Sequence, residues 1–197
     1  MPDPIPLSIL FVCLGNICRS TMAEGTFRHH LSTAPPPTSA TYALSLTRID
    51  SCGTGAYHVG SAPDPRTTST LRAHGITTYR HKARKLHLSD FETFDYIFVM
   101  DESNFEDVMD ERARAVKMKG GKVAKGTSTA VDVNSPTVLG KAEDGLAHVM
   151  LFGAFGGKGE EIVDDPYYGG DDGFETAFEQ VDRFSKNFLE WLEKGEK

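Results

Sequence analysis

Residues 7–27, LSILFVCLGNICRSTMAEGTF, restrict the fold more than any other stretch of the chain. Leu7, Ile9, Leu10, Phe11 and Val12 form a short continuous apolar run. Strict alternation would suit a strand with one wet face, whereas a continuous run suits a strand buried on both. From Ser20 the text changes to helical spacing, with Met22, Ala23 and Phe27 in register, a capping-type residue at Ser20 and Glu24 four positions on. The pattern predicts a helix over about residues 20–31, which leaves Cys13 to Arg19 as a strand-to-helix turn. Backbone N–H groups at such a turn point into one cavity with the helix dipole behind them. That makes an anion site, and Cys13 sits at its floor.

The remaining chain repeats the alternation. Leu46 to Cys52 reads as a second strand, and Asp64-Pro65 opens a helix that stops at Gly75. Ser89 to Glu92 reads as one helical turn, Asp95 to Met100 as a third buried strand, about Glu102 to Val116 as a helix, and His148 to Phe152 as a fourth strand. A last helix from Gly173 to about Lys194 carries a broad apolar stripe that includes Phe174, Phe178, Val181, Phe184, Phe188 and Leu192. Alternating β and α segments predict an α/β fold, a parallel sheet with helices on both faces and its site at the carboxyl ends of the strands, where Cys13 lies. Two stretches break the pattern. Residues 32–45 contain Pro35, Pro36 and Pro37 among Ser and Thr, and residues 119–142 are rich in Gly, Pro, Ser and Thr without periodicity. Both read as surface insertions in one domain spanning 1–197.

Composition narrows the function classes. A chain of 197 residues, 39% hydrophobic, can bury one sizeable core. A net charge of −7 and a pI near 5.5 argue against binding a nucleic-acid backbone. The basic stretch Arg112 to Lys125 reads as a solvated helix end and loop. No run approaches the roughly 18 apolar residues that span a bilayer, and Met-Pro-Asp-Pro-Ile-Pro has no secretory pattern, so a cytoplasmic protein is expected. Three cysteines make neither a disulfide framework nor a zinc site, and no metal or other cofactor is expected. Cys52, beside Gly53, is expected only to pack.

Cys13 and Arg19 have the spacing Cys-x5-Arg, which arises by chance in about 15% of chains of this composition and is weak alone. Its context strengthens it: the pair brackets the turn, Ser20 follows directly, and Gly15 and Asn16 tolerate the backbone angles of an anion nest. Thiols at helix N-termini ionise well below their usual ~8.5, which makes a cysteine there a nucleophile at neutral pH. Arg19 would offer a planar fork to two oxygens of a tetrahedral oxyanion. The plain alternative is a buried thiol at a strand end with an arginine capping a neighbouring loop.

The stretches VCLGNICRS, SAPDPR, HKAR, DYIFVMDESN and DDPYYGG together resemble the low-molecular-weight protein tyrosine phosphatases. The likeness runs from about Leu7 to Leu192 and is interrupted at about 32–44 and 119–146, the two insertions. It implies a three-layer αβα fold with a four-stranded parallel sheet. It also implies that Cys13 attacks the phosphorus of a phosphomonoester to form a phosphocysteine. The backbone of Leu14, Gly15, Asn16, Ile17, Cys18 and Arg19 would hold the equatorial oxygens with the Arg19 guanidinium. Asp165 would be the general acid and then the base. Read without the resemblance, an Asp before Pro is a turn former, and Asp164 is its neighbouring confounder.

By the same resemblance, Ser20 donates to the Cys13 thiolate, and Asn16, Ser51 and His81 form the network that holds the loop. From the residues alone, Ser20 reads equally as a helix cap and His81 as an exposed histidine; His74, before Gly75, reads as a cation at a helix C-terminus. Tyr57, Tyr167 and Tyr168 are expected to wall the cleft and stack on an aryl leaving group, or simply to pack. Many relatives carry Trp where Tyr57 stands. Relatives with a cysteine at the position of Cys18 form a reversible disulfide with the nucleophile, implying a Cys13–Cys18 redox pair. The implied substrates are phosphotyrosine proteins or small aryl phosphates, with phosphate-like oxyanions as inhibitors. Arsenate reductases of this fold need two later cysteines, and none follows Cys52; arginine phosphatases carry a small polar residue where Ile17 stands. A non-catalytic phosphopeptide binder would be expected to lack Cys13, Arg19 or Asp165, and all three are present.

Overall fold

Four strands, β1 (Pro6–Cys13), β2 (Ser45–Gly53), β3 (Tyr96–Val99) and β4 (His148–Leu151), pair in parallel in the order β2-β1-β3-β4. The coordinates are a computed structural model that describes residues 6–33, 45–120, 141–159, 161–168 and 171–195. The helices are α1 (Arg19–Thr33), α2 (Pro65–Ala73), the single turn α3 (Asp90–Thr93), α4 (Glu102–Met118) and α5 (Asp171–Gly195). Short 3₁₀ turns lie at Phe152–Phe155 and Pro166–Tyr168. None of the helices among the described residues is long and apolar enough to cross a membrane.

The continuous apolar run of β1 is explained by its central place. Leu7, Ile9 and Phe11 face a core shared with Met22, Ala23 and Phe27 of α1 and the apolar stripe of α5. Leu10 and Val12 face the opposite core, with Phe91 of α3, and Val108 and Ala115 of α4. Each face therefore has its own helical layer, and β1 has no wet side to encode. The first core is an aromatic stack: Phe11 meets Phe152 edge-on at 5.1 Å, and Phe98 meets Phe188 at 4.9 Å. Burial of each such side chain contributes about 1.5–3 kcal/mol.

The chain leaves β1 toward β2 on one side and returns to β3 on the other. The connections that leave the carboxyl ends of the paired strands β1 and β3 thus run apart and open a crevice, the switch point at which open parallel sheets bind ligands. Asp64 caps α2 by accepting from Arg66 N at 2.8 Å, with Pro65 at its first turn, as the sequence signals.

Several expectations change. α1 begins at Arg19, so Ser20 lies inside the first turn and is wholly buried instead of capping it. Arg112 is not a solvated helix end: it is buried, with Nε donating to Ala147 O at 3.1 Å and Nη2 to Asp144 Oδ1 at 2.9 Å. The reason is that α4 must hold the edge strand β4 through the segment that feeds it. Most of both insertions lies outside the described residues; at the end of the second, Leu146 is buried and its carbonyl accepts from Ala142 N at 2.9 Å.

Candidate active site

Cys13 ends β1 almost completely buried, and the chain then turns through residues 14–18 before Met22 N donates to Cys18 O at 3.0 Å. Within this loop Asn16 has φ of 56°, the left-handed region that Asn tolerates better than other side chains with a Cβ. That conformation brings Asn16 N to 3.3 Å from Cys13 Sγ. The Asn16 amide is then saturated. Its Nδ2 donates to Ser20 Oγ at 3.0 Å and Ser51 Oγ at 2.9 Å, and its Oδ1 accepts from Arg84 N and meets His81 Nε2, both at 2.9 Å. Because Asn16 donates to Ser20 Oγ, the Ser20 hydroxyl hydrogen is free to point at Cys13 Sγ, 3.1 Å away.

Neighbouring backbone presses the loop into place. Thr54 N and Gly55 N donate to the carbonyls of Cys13 and Leu14, both at 2.9 Å. A Cβ on Gly53 would stand 2.7 Å from Leu14 O and 3.2 Å from Asn16 N, so the end of β2 has room for no side chain.

Behind Ser51 stands Glu24, a buried carboxylate whose place sequence reasoning missed. Its Oε2 accepts from Ser51 Oγ and Tyr79 OH, both at 2.8 Å, and lies 3.2 Å from His81 Nδ1; Arg28 Nε donates to Oε1 at 2.8 Å. Burial pushes the Glu24 carboxyl up, but the His81 contact and the Ser51 and Tyr79 hydroxyls outweigh it and hold it below the usual range. His81 is therefore a network member, with only 8% of its side chain exposed. No local pattern singles Glu24 out, since residues 19–27 of α1 are all buried and no apolar stripe separates a wet side from a dry one. Gly25 supplies the room, since a Cβ there would stand 3.2 Å from the Tyr79 ring.

Arg19 opens α1 with 4% of its side chain exposed. Its Nη1 is bonded to Asp101 Oδ2 and donates to Val163 O at 3.0 Å, and its Nη2 lies 3.3 Å from Asp165 Oδ2. Burial opposes the Arg19 charge, but Cys13, Asp101 and Asp165 around it raise its pKa above the ordinary value. Asp101 also caps α4, its Oδ1 accepting from Asn104 N at 2.7 Å. Sequence reasoning quoted this residue without a role, although an Asp directly after a buried strand falls at the carboxyl edge where sites form.

Asp165, not Asp164, turns into the cleft. Its Oδ1 accepts from Tyr167 N at 3.0 Å, which fixes the carboxylate by a local turn. The cleft has a volume of about 450 Å³; Cys13, Leu14, Gly15, Ile17, Cys18 and Arg19 form its floor, and Tyr57, His58, Asp165 and Tyr167 its walls. Tyr57 is 77% exposed, and the side chain of Tyr168 lies outside the described residues. His58 was missed from sequence; its ring lies over Gly15, 3.0 Å from where a Cβ would stand. Cys18 is a buried thiol pushed up to about 12 by burial, then by Asp64 and Cys13. Cys13, Cys18 and Cys52 are all free thiols. His74 ends α2 as expected, and its Nε2 lies 2.6 Å from Glu175 on α5.

Among the described residues, Glu24, Asp50 and His81 bring potential metal ligands within 4.8 Å of one another. Their oxygens are already engaged, Asp50 by Arg84 at 2.9 Å and Glu24 as above, so the group is a hydrogen-bond network.

Fold and site together define a cysteine-centred cleft at the switch point of a parallel sheet, with a buried arginine on its floor and a carboxylate in its wall. The family model for low molecular weight phosphotyrosine protein phosphatase matches residues 8–151, and the chain belongs to that family. The Schizosaccharomyces pombe low molecular weight phosphotyrosine protein phosphatase is 45% identical over 184 residues, 93% of this chain and 95% of that one. Among solved structures, a protein tyrosine phosphatase from Entamoeba histolytica with Hepes in its active site superposes with a TM-score of 0.70 at 27% identity, covering 97% of this chain and 99% of that one. The Drosophila arginine phosphatase superposes with a TM-score of 0.66 at 30% identity, over 92% of this chain and 95% of that one.

Proposed function

We propose that this chain is a single catalytic domain that hydrolyses phosphotyrosine and related aryl phosphates, with Cys13 as nucleophile, Arg19 as oxyanion clamp and Asp165 as general acid and base. The observation that carries it is the meeting of Cys13, Arg19 and Asp165 in one cleft, with Asp165 Oδ2 3.3 Å from Arg19 Nη2. In the first step the Cys13 sulfur bonds to phosphorus as the ester P–O bond breaks, and Asp165 gives its proton to the leaving phenol oxygen. In the second, Asp165 as carboxylate takes a proton from water, whose oxygen attacks phosphorus and breaks the S–P bond. The cycle consumes one water and returns both groups to their starting state. The backbone N–H groups of residues 14–19 and the Arg19 guanidinium face the equatorial oxygens, where charge is stabilised during transfer. Ser20, and Asn16 held by Ser51 and His81, keep the loop in its left-handed turn and the sulfur hydrogen-bonded.

Tyr57 and Tyr167 suit an aryl group standing on the cradle. Ile17 on the floor favours a flat apolar ring over a guanidinium, which separates this reading from arginine dephosphorylation. Three free thiols fit a reducing compartment, so we place the activity in the cytoplasm. Hydrolysis of p-nitrophenyl phosphate is expected in the parent, abolished in Cys13→Ser, reduced about 10²-fold or more in Asp165→Ala, and competitively inhibited by vanadate. A phosphotyrosyl peptide should be turned over in preference to a phosphoarginyl one. Inactivity toward every aryl phosphate overturns the reading.

A further inference from the structure

Arg66 lies at the start of α2, outside the residues that line the cleft, yet it touches three separate parts of the molecule. Its Nε and Nη2 clasp the Asp64 carboxylate at 3.1 and 3.0 Å. Its Nη1 donates to Tyr167 O at 3.2 Å. Its guanidinium stands over the Phe174 ring of α5 at 4.5 Å and over the Tyr167 ring at 5.3 Å. Asp64 in turn is tied to the phosphate loop, since Asp64 N donates to Ile17 O at 2.8 Å. Tyr167 is tied to Asp165 through its own N–H.

We infer that Arg66 is a positioning residue that sets the distance between the phosphate loop and the Asp165 carboxylate by bracing the segment at Tyr167 against Asp64. The inference rests on the proposed role of Asp165. The two halves of the site come from opposite ends of the chain, and among the described residues the other polar ties between them are made by the Arg19 guanidinium, to Val163 O at 3.0 Å and, at the acid itself, to Asp165 at 3.3 Å. A bound phosphoryl group competes for that guanidinium, so the contact weakens when the acid is needed. The Arg66 brace does not involve the oxyanion and persists through the reaction. Its geometry needs a planar fork with a stackable face; a lysine offers a point charge and cannot span Asp64, the Tyr167 carbonyl and the Phe174 ring together.

A misplaced general acid has a signature that a general loss of structure lacks. Leaving groups that depart readily as anions need no proton, while phenol itself does. The test is kcat/KM for a series of aryl phosphates in the parent, Arg66→Met, Arg66→Lys and Asp165→Ala. The ratio of the rate for 2,4-dinitrophenyl phosphate to that for phenyl phosphate should rise about tenfold or more in both Arg66 variants, part of the way to the Asp165→Ala value. Vanadate affinity should stay within about threefold of the parent, because the cradle is made by residues 13–19. Arg66→Lys keeps the charge at α2 and is the variant that decides if Arg66→Met does not fold. Rates that fall equally for every leaving group, or an unchanged ratio, overturn the inference. If Asp165→Ala itself leaves the ratio unchanged, the proposed acid fails, whatever the Arg66 variants do.

Discussion

Gly53→Ala separates packing from chemistry at this site, because the added methyl meets only backbone. The Cβ would stand 2.7 Å from Leu14 O, 3.2 Å from Asn16 N and 3.2 Å from Gly15 C, all in the phosphate loop. An ordinary carbon–oxygen contact needs about 3.4 Å, so the loop and β2 must part by about 0.7 Å. A flexible side chain could swing away at little cost. Here the yielding atoms are Leu14 to Asn16, and Asn16 is held by hydrogen bonds to Ser20, Ser51, Arg84 and His81. Overpacking of this kind costs about 1–3 kcal/mol. For a domain of this size each kcal/mol lowers Tm by about 2–4 °C. On the proposed mechanism, the same shift displaces N–H groups that hold the phosphoryl oxygens. A misplacement of about 1 Å can cost about 10²-fold in rate, so 0.7 Å predicts a loss on the order of tenfold or more in kcat/KM. The assay is kcat/KM with p-nitrophenyl phosphate, vanadate affinity as a direct probe of the cradle, and urea unfolding. A variant that keeps full activity and full vanadate affinity refutes the claim that the end of β2 sets the loop geometry.

Two further outcomes follow from the network and the thiols. Glu24 has its pKa depressed in the folded state, so its contribution to stability is present above the unfolded carboxyl pKa of about 4.3 and is lost as pH falls through the lower folded value. Glu24→Gln should therefore lower stability near neutral pH and flatten the acid limb of stability against pH; a limb as steep as the parent's counts against this. Peroxide should inactivate the parent reversibly, a sulfenic acid on Cys13 condensing with the Cys18 thiol to a disulfide and water, with a dithiol restoring activity. Cys18→Ser that recovers as completely as the parent removes Cys18 from that role.

What could be read locally was read well. The two-faced burial of β1, the turn from Cys13 to Arg19, the Asp64-Pro65 start of α2 and the apolar stripe of α5 all follow from short-range patterns, because backbone preference and periodicity act over one element at a time. The errors share one cause. Arg112 has the composition of a solvated helix end and is instead buried against Asp144 and Ala147, 32 and 35 residues away. Glu24 and Asp101 look like ordinary surface acids until their partners Ser51, Tyr79 and Arg19 are in place. Asp165 was named through a family likeness, and the structure brings it to 3.3 Å from Arg19 Nη2; an Asp before Pro has no local mark that would single it out.

Sequence by itself determined an α/β chain with a strand-to-helix turn from Cys13 to Arg19 at the end of its first strand, since residues 7–27 contain both the strand and the turn. Only the tertiary structure decided what stands around that turn. The strand order puts the carboxyl ends of β1 and β3 side by side, and this brings Asp101 and the distant Asp165 onto Arg19. It also sets Gly53 against Leu14 and runs Arg66 between Asp64 and Tyr167. Contacts across 82 and 146 residues depend on which elements become neighbours, a property of the packed sheet that no local pattern carries.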